Sequence, residues 1–200
     1  MTDTRDADPR ILPHIVGRWS PRAFDGSEIA LADLQTLFDA ARWAPSAFNA
    51  QPWRFLYARR NDAHWESFLK LLVPANAGWA QNASALIFIL SDTLMEKPGS
   101  EPAPSWSHSF DAGAAWAMLA LQARALGYDS HGMTGVDFDA ARLALQVPER
   151  FRIEAAVAVG RRGDPASLPE PLQEREKPSG RHPVKSFAFA GPFPAEDNGE

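Results

Sequence analysis

The chain contains no cysteine. That absence excludes disulfides, a thiol nucleophile, and thiolate zinc or iron–sulfur sites. It is compatible with a reducing compartment, and the expected location is the cytoplasm. Long hydrophobic runs are missing too. The longest strongly apolar stretch, Ala85 to Leu90, is far too short to span a bilayer, so no membrane partner is expected. The stretch Met1-Thr2-Asp3-Thr4-Arg5-Asp6 lacks the basic and apolar regions of a signal peptide. Positive charge is in short supply: 20 Lys and Arg stand against 25 Asp and Glu, a formal net charge of −5. This argues against a nucleic-acid partner, and an anionic ligand would need a local cationic pocket. No Gly-x-Gly-x-x-Gly and no Gly-x-x-x-x-Gly-Lys-Ser/Thr occurs, which removes the usual nucleotide-binding fingerprints. No Gly-x-Ser-x-Gly elbow is present either. Histidines 14, 64, 108, 131 and 182 show no ligand spacing on any predicted helix, so no metal is expected.

What remains is an ordinary globular composition, 45% apolar over 200 residues, enough for one domain with a sizeable core. No repeat and no linker divides residues 1–200. Residues 1–9 are polar and expected to be loose. Arg10 to Val16 suits a short helix with Pro13 in its first turn. Leu34, Leu37, Phe38 and Ala41 recur at helical spacing within a helix from Leu31 to Trp43. A strand is predicted over Arg54 to Ala58, then a helix from about His64 to Leu72, with Asn76 in a short break after Pro74. Ala85 to Leu90 reads as a central strand buried on both faces. Residues 92–107, with Pro98, Gly99, Pro102 and Pro104, read as a loop. The longest helix runs from Ser109 to Leu126 with a small-residue face, capped by Gly127. A short strand over Tyr128 to His131 leads to a loop at Gly132-Met133-Thr134-Gly135. A helix capped by Asp137 or Asp139 and a buried strand over Arg152 to Gly160 follow. From 161 to 200 proline and charge dominate, which does not describe a second core.

Two stretches carry most of the chemical information. Arg18-Trp19-Ser20-Pro21-Arg22-Ala23-Phe24-Asp25 sets two guanidiniums and a hydroxyl close together, which suits a phosphate. Read alone, it is a solvated basic turn. Ala44-Pro45-Ser46-Ala47-Phe48-Asn49-Ala50-Gln51-Pro52-Trp53-Arg54-Phe55 is a proline-braced loop between a helix and a strand. Its Ser and amide side chains offer donors and acceptors to a flat polar ligand at low ordering cost. Read alone, it is a helix-to-strand turn.

Together these stretches resemble the FMN-dependent nitroreductase family: Arg-x-Ser-x-Arg-x-Phe-Asp, then Ala-Arg-Trp-Ala-Pro-Ser-Ala-x-Asn-x-Gln-Pro-Trp. The resemblance runs from about Ile11 to about Arg181. It implies an α+β nitroreductase-like fold, with a central mixed β-sheet flanked by helices. It also implies an intertwined homodimer with an extended C-terminal arm wrapping the partner, FMN at the subunit interface, and NAD(P)H as electron donor. The implied cofactor residues are Arg18, Trp19, Ser20 and Arg22, with Arg22 either on the phosphate or facing the flavin pyrimidine. Pro45, Ser46, Ala47 and Asn49 would approach from the partner subunit. Asn76 would meet the pyrimidine edge, Met133, Thr134 and Gly135 the ring, and Arg181 the phosphate. Lys177 is a weaker candidate. The family often has Lys-x-Arg where this chain has Ser179-Gly180-Arg181, so one cation is missing. Phe48, Trp106, His108 and Phe110 are candidates for lining the substrate pocket. No side chain need act as acid or base, because the flavin carries the chemistry. The expected activity is ping-pong electron transfer to a small nitroaromatic- or quinone-like acceptor. The alternatives are other flavin chemistry on the same scaffold, such as ring oxidation, flavin breakdown or reductive removal of a substituent, and a non-catalytic FMN-binding module.

Overall fold

Strand β2, Ala85–Asp92, is buried along its whole length and organises the molecule. Its residues alternate between two apolar layers, as side chains of a strand must. Leu86, Phe88 and Leu90 enter one core cluster; Ala85, Ile87 and Ile89 enter the other. Truncating Phe88, fully buried, to alanine would cost about 3–5 kcal/mol.

The computed structural model describes residues 7–96 and 99–194. Pro98 of the expected 92–107 loop and the first six residues of the chain lie outside the described residues. After a short helix α1 (Pro13–Gly17) come α2 (Leu31–Ala41) and strand β1 (Trp53–Arg59). Helices α3 (Trp65–Leu69) and α4 (Pro74–Ala80) lead into β2. A two-residue pair, β3 (Leu94–Met95) and β4 (Ala103–Pro104), precedes the long helix α5 (His108–Ala125). Then follow β5 (Asp129–Met133), α6 (Phe138–Ala144), β6 (Phe151–Gly160) and the short α7 (Glu170–Gln173).

The sheet order is β1-β2-β6-β5. A mixed sheet was expected; among the described residues of the chain, all three pairings of this sheet are antiparallel. Register pairs Ile87 with Val157 and Phe88 with Ala156, so the two central strands present matching faces. On one face, α2 and α5 pack Leu34, Leu37, Ala115 and Leu119 against Ile87 and Val157. On the other, Trp65, Phe68 and Trp79 of α3 and α4 pack with Leu86 and Phe88. The small residues of α5, Ala112, Ala115, Ala120 and Ala123, are buried. Gly127 follows α5 with φ +78°, the left-handed geometry a helix C-terminus asks of glycine.

Three local expectations are corrected. Pro74 does not mark a break: it begins α4, where its missing N–H is one of the helix's orphan donors anyway. Gly132 and Met133 belong to β5, not to the following loop, because β6 extends far enough to pair them with Val157 and Ala156. The 92–107 stretch is no plain loop: Leu94 pairs with Pro104 and Met95 with Ala103, and Arg150 bridges Asp92 at 2.5 Å and Glu96 at 3.0 Å. Beyond β6 the chain still contributes to the core through Leu168, and then becomes largely exposed. No helix among the described residues is long and apolar enough to cross a membrane.

Candidate functional site

The turn between α1 and Phe24 is held from several sides. Phe24 bridges to Arg162, just beyond β6. The Arg162 guanidinium lies 5.1 Å from the centre of the Trp19 ring and is itself bound to the buried carboxylate of Asp129. The Nδ1–H of His131 on β5 donates to the carbonyl of Pro21 at 2.9 Å. The carboxylate of Glu176 accepts from the consecutive backbone N–H groups of Arg22 and Ala23, at 2.7 and 2.8 Å. The basic turn is therefore a fixed structure and not a solvated bend.

Its side chains line a cavity of about 520 Å³ with Arg18, Trp19, Ser20 and Arg22 on one side and Arg175, Lys177 and Arg181 on the other. Arg18, Ser20 and Arg181 also border a second cavity, about 530 Å³, whose other walls include Trp116, Ala117, Ala120 and Gly132. The cationic turn thus borders two neighbouring spaces, the second with an indole and alanines in its wall. Among the described residues the buried Nε1–H of Trp19 has no hydrogen-bond partner, a donor left over for a ligand. Burial holds the Arg22 guanidinium below its ordinary pKa, and the like charge of Arg175 adds to that, against the opposing charge of Glu176. Burial also lowers the His131 pKa; hydrogen bonds to the Pro21 and Ser20 backbone oppose this, and the Arg22 charge reinforces it. Arg181 engages Ser179 and Gly180 through its Nη1 at 2.8–3.0 Å, so the serine in the place of the missing cation orients the arginine.

A second group assembles around α4 and the end of β5. Asn76 donates from Nδ2 to the carbonyl of Gly135 at 3.2 Å. A Cβ added at Gly135 would collide with Nδ2 of Asn76 and lie 2.8 Å from Val73 Cγ2, so any side chain there must displace its neighbours. Thr134 is exposed beside it, whereas Met133 is buried in the core. Through His131 and Gly132, β5 joins this group to the two cavities.

The third group sits at the start of α5. The loop at Pro45 and Ser46 runs into a short turn over Ala47–Asn49. Ala47 donates its backbone N–H to Asp111 Oδ2 at 3.1 Å, and Ser46 Oγ accepts from Gln51 N at 3.1 Å. Phe48, Asn49 and Gln51 all have positive φ, at 52°, 55° and 49°. For a phenylalanine this is a strained backbone, of the kind that gathers at functional sites. Phe48 is 82% exposed, Phe110 81% and Trp106 98%. His108 behaves differently: its ring nitrogen lies 2.7 Å from Ser91 Oγ and 3.6 Å from Glu154, in a half-buried polar cluster. None of Pro45, Ser46, Ala47, Phe48 or Asn49 lines either cavity of the cationic turn.

The predicted residues are thus gathered into three places, two linked by β5 and one apart. The sequence reading missed His131, Trp116 and Arg175 as cavity residues. His131 was one scattered histidine among five, and its position before Gly132 was the only hint. Trp116 stands among the small residues of the long helix, where an aromatic side chain signals packing. Arg175 sits outside any motif.

Comparison with known proteins gives one family. The nitroreductase family profile matches residues 15–161. A protein of Archaeoglobus fulgidus, provisionally named NADH dehydrogenase/NAD(P)H nitroreductase, is 32% identical over 155 residues, covering 74% of this chain and 83% of its own. The CLA biosynthesis enone reductase of Lactiplantibacillus plantarum is 27% identical over 178 residues, covering 72% of this chain and 82% of its own. A crystal structure described as an oxidoreductase containing FMN superposes with a TM-score of 0.93 at 46% identity, over 98% of this chain and 99% of that one. With the profile spanning most of the chain and the basic turn, the Asn76–Gly135 contact and the proline-braced loop all in place, this protein belongs to the nitroreductase family.

Proposed function

We propose that this chain is an FMN-dependent oxidoreductase that draws electrons from NAD(P)H and works as a homodimer on a small organic acceptor. The observation that carries the reading is the cationic cavity: Arg18, Ser20, Arg22 and Arg181 converge on one space, next to a second space walled by Trp116 and Gly132. The residues suit FMN on three counts. Guanidiniums and a hydroxyl match a phosphate dianion. The Trp19 N–H is buried and without a partner among the described residues. Asn76 is held against the carbonyl of Gly135 at 3.2 Å, so its amide is fixed in place.

When bound, FMN supplies the redox chemistry, taking hydride from a nicotinamide and passing electrons to the acceptor. The protein's residues bind, orient and shield. Arg18, Ser20 and Arg181 would hold the phosphate. Arg22, fixed through its own N–H to Glu176, would bring a positive charge toward the ring. Asn76, Thr134 and Gly135 would present amide and hydroxyl groups to its polar edge. The loop from Pro45 to Asn49 lies apart from the cavities of its own chain, which supports its meeting the cofactor of a second copy. Phe48, Trp106 and Phe110, apolar and exposed, would then cover a flat acceptor of nitroaromatic, quinone or enone type. One place serving donor and acceptor in turn gives ping-pong kinetics.

The test is direct. Protein reconstituted with FMN and desalted should retain the flavin, and anaerobic NAD(P)H should bleach its absorbance before any acceptor is added. Sedimentation should give a dimer. A colourless protein after reconstitution would end the reading; bound flavin that NAD(P)H reduces only very slowly would convert it to a binding module.

A further inference from the structure

The C-terminal segment was expected to reach a phosphate through Arg181, with Lys177 a weaker candidate. The structure places Lys177 and one further cation of that segment, Arg175, on the wall of the same cavity. Between them in sequence stands Glu176, whose single oxygen Oε1 accepts from the backbone N–H groups of Arg22 and Ala23, at 2.7 and 2.8 Å. We propose that Arg175-Glu176-Lys177 is a phosphate clamp: Glu176 latches the segment onto the basic turn, and Arg175 and Lys177 supply the cation that Ser179 does not. The proposal rests on the cofactor reading above and deepens it.

The chemistry favours this over a solvated charge run. Glu176 is an anion in a strongly cationic neighbourhood, yet its Oε1 is spent on backbone amides, and its Oε2 is buried without a hydrogen-bond partner among the described residues. It forms no salt bridge within 4.0 Å among the described residues, so it leaves the flanking cations available to a ligand. A carboxylate held by two amide donors is a charge-assisted, geometrically fixed contact between segments 153 and 154 positions apart. That contact sets the residues on either side of Glu176 against the cavity. The like charges of Arg22 and Arg175 already act on each other there. A dianion between them relieves that repulsion, whereas an uncharged ligand does not. Ser179, for its part, donates no charge but holds Arg181 Nη1 through its Oγ and carbonyl, both at 3.0 Å.

The experiment compares FMN with riboflavin, which lacks the phosphate, by flavin fluorescence quenching on the full chain. Wild-type protein should bind FMN more tightly than riboflavin. Replacing both exposed cations, Arg175→Ser with Lys177→Ser, should weaken FMN by roughly 10- to 100-fold, the loss of one or two charge-assisted contacts, and leave riboflavin unchanged. Glu176→Ala should weaken FMN similarly, while Glu176→Gln, whose amide oxygen still accepts both N–H groups, should recover most of the affinity. Circular dichroism melts of the flavin-free variants separate misfolding from lost binding. Unchanged FMN affinity in the Arg175 and Lys177 double variant, with wild type still preferring FMN, would overturn the clamp and spare the cofactor reading. Glu176→Gln and Glu176→Ala both tightening FMN would show that Glu176 acts only as a negative charge, and would also overturn it. Wild-type protein that binds neither flavin would remove the cofactor reading and the clamp together.

Discussion

Ala47 donates its backbone N–H to Oδ2 of Asp111 at 3.1 Å, and Ser107 donates its Oγ–H to the same oxygen at 2.9 Å. One buried carboxylate in the first turn of α5 therefore fixes both the proline-braced loop and the start of the helix, where a negative charge also suits the helix dipole. Asp111→Ala leaves these donors without their acceptor. The expected loss is about 1–3 kcal/mol of stability by urea unfolding, with Asp111→Asn losing less because its amide oxygen still accepts. Local release should show as faster chymotryptic cleavage after Phe48. Equal cleavage in wild type and Asp111→Ala would mean that the loop is held by something else.

Gly135 and Asn76 form a second coupled pair. A Cβ at Gly135 collides with the Asn76 amide and crowds Val73. Gly135→Ala should therefore cost about 1–3 kcal/mol, as overpacking of a tight site does. Shortening the neighbour should give part of that back: Asn76→Ala combined with Gly135→Ala should be less damaging than the sum of the single changes. Strict additivity by thermal or urea unfolding would show that the crowding is not the cause.

How much of this was legible beforehand follows from what kind of signal each residue carries. The Ala85 to Leu90 run was readable because a strand buried on both faces must be apolar throughout. Gly127 and an aspartate cap at 137 or 139 were readable because helix ends restrict residue type strongly, and Asp137 is the one that accepts, from Ala140 N at 3.0 Å. The helix at Pro74 was not, because proline both ends and begins helices and only the neighbours decide. Arg18, Ser20 and Arg22 stood in a local motif. Glu176 did not, since its role depends on backbone amides 153 and 154 residues away. His108 was read from its place beside Trp106 and Phe110, yet Ser91 of β2 and Glu154 of β6 draw its ring inward. Long-range polar contacts of this sort leave no period and no spacing in the chain.

His131 gives stability a pH dependence of definite sign. Burial depresses its pKa below the ordinary value near 6.5, with Arg22 adding to the effect. The folded state therefore binds fewer protons than the unfolded state when pH is lowered. The favourable contribution of the neutral ring is complete above about 6.5 and is lost as pH falls through that value toward the lower folded one. Urea unfolding between about pH 7.5 and 5 should show wild type losing stability more steeply than His131→Gln, whose side-chain amide still donates to Pro21 but does not titrate. Parallel profiles would mean that other groups govern the acid limb.

Phe48 tests whether the strained loop serves the acceptor. Its φ of 52° is a geometry glycine takes without strain and phenylalanine does not. Strain of this kind is worth about 1–3 kcal/mol, and a new glycine gives back roughly 0.5–1 kcal/mol through the freedom of the unfolded chain. Phe48→Gly should thus be neutral or stabilising, by up to about 2 kcal/mol, although it removes a whole aromatic ring. Phe48→Ala keeps the strain and loses the ring, so it should not stabilise. Both should lower kcat/KM toward a flat aromatic acceptor, with the increase mainly in KM, because the ring's contribution is to binding and not to chemistry. An Ala variant as stable as the Gly variant would remove strain from the account. Unchanged kcat/KM in both would place the acceptor away from this exposed ring.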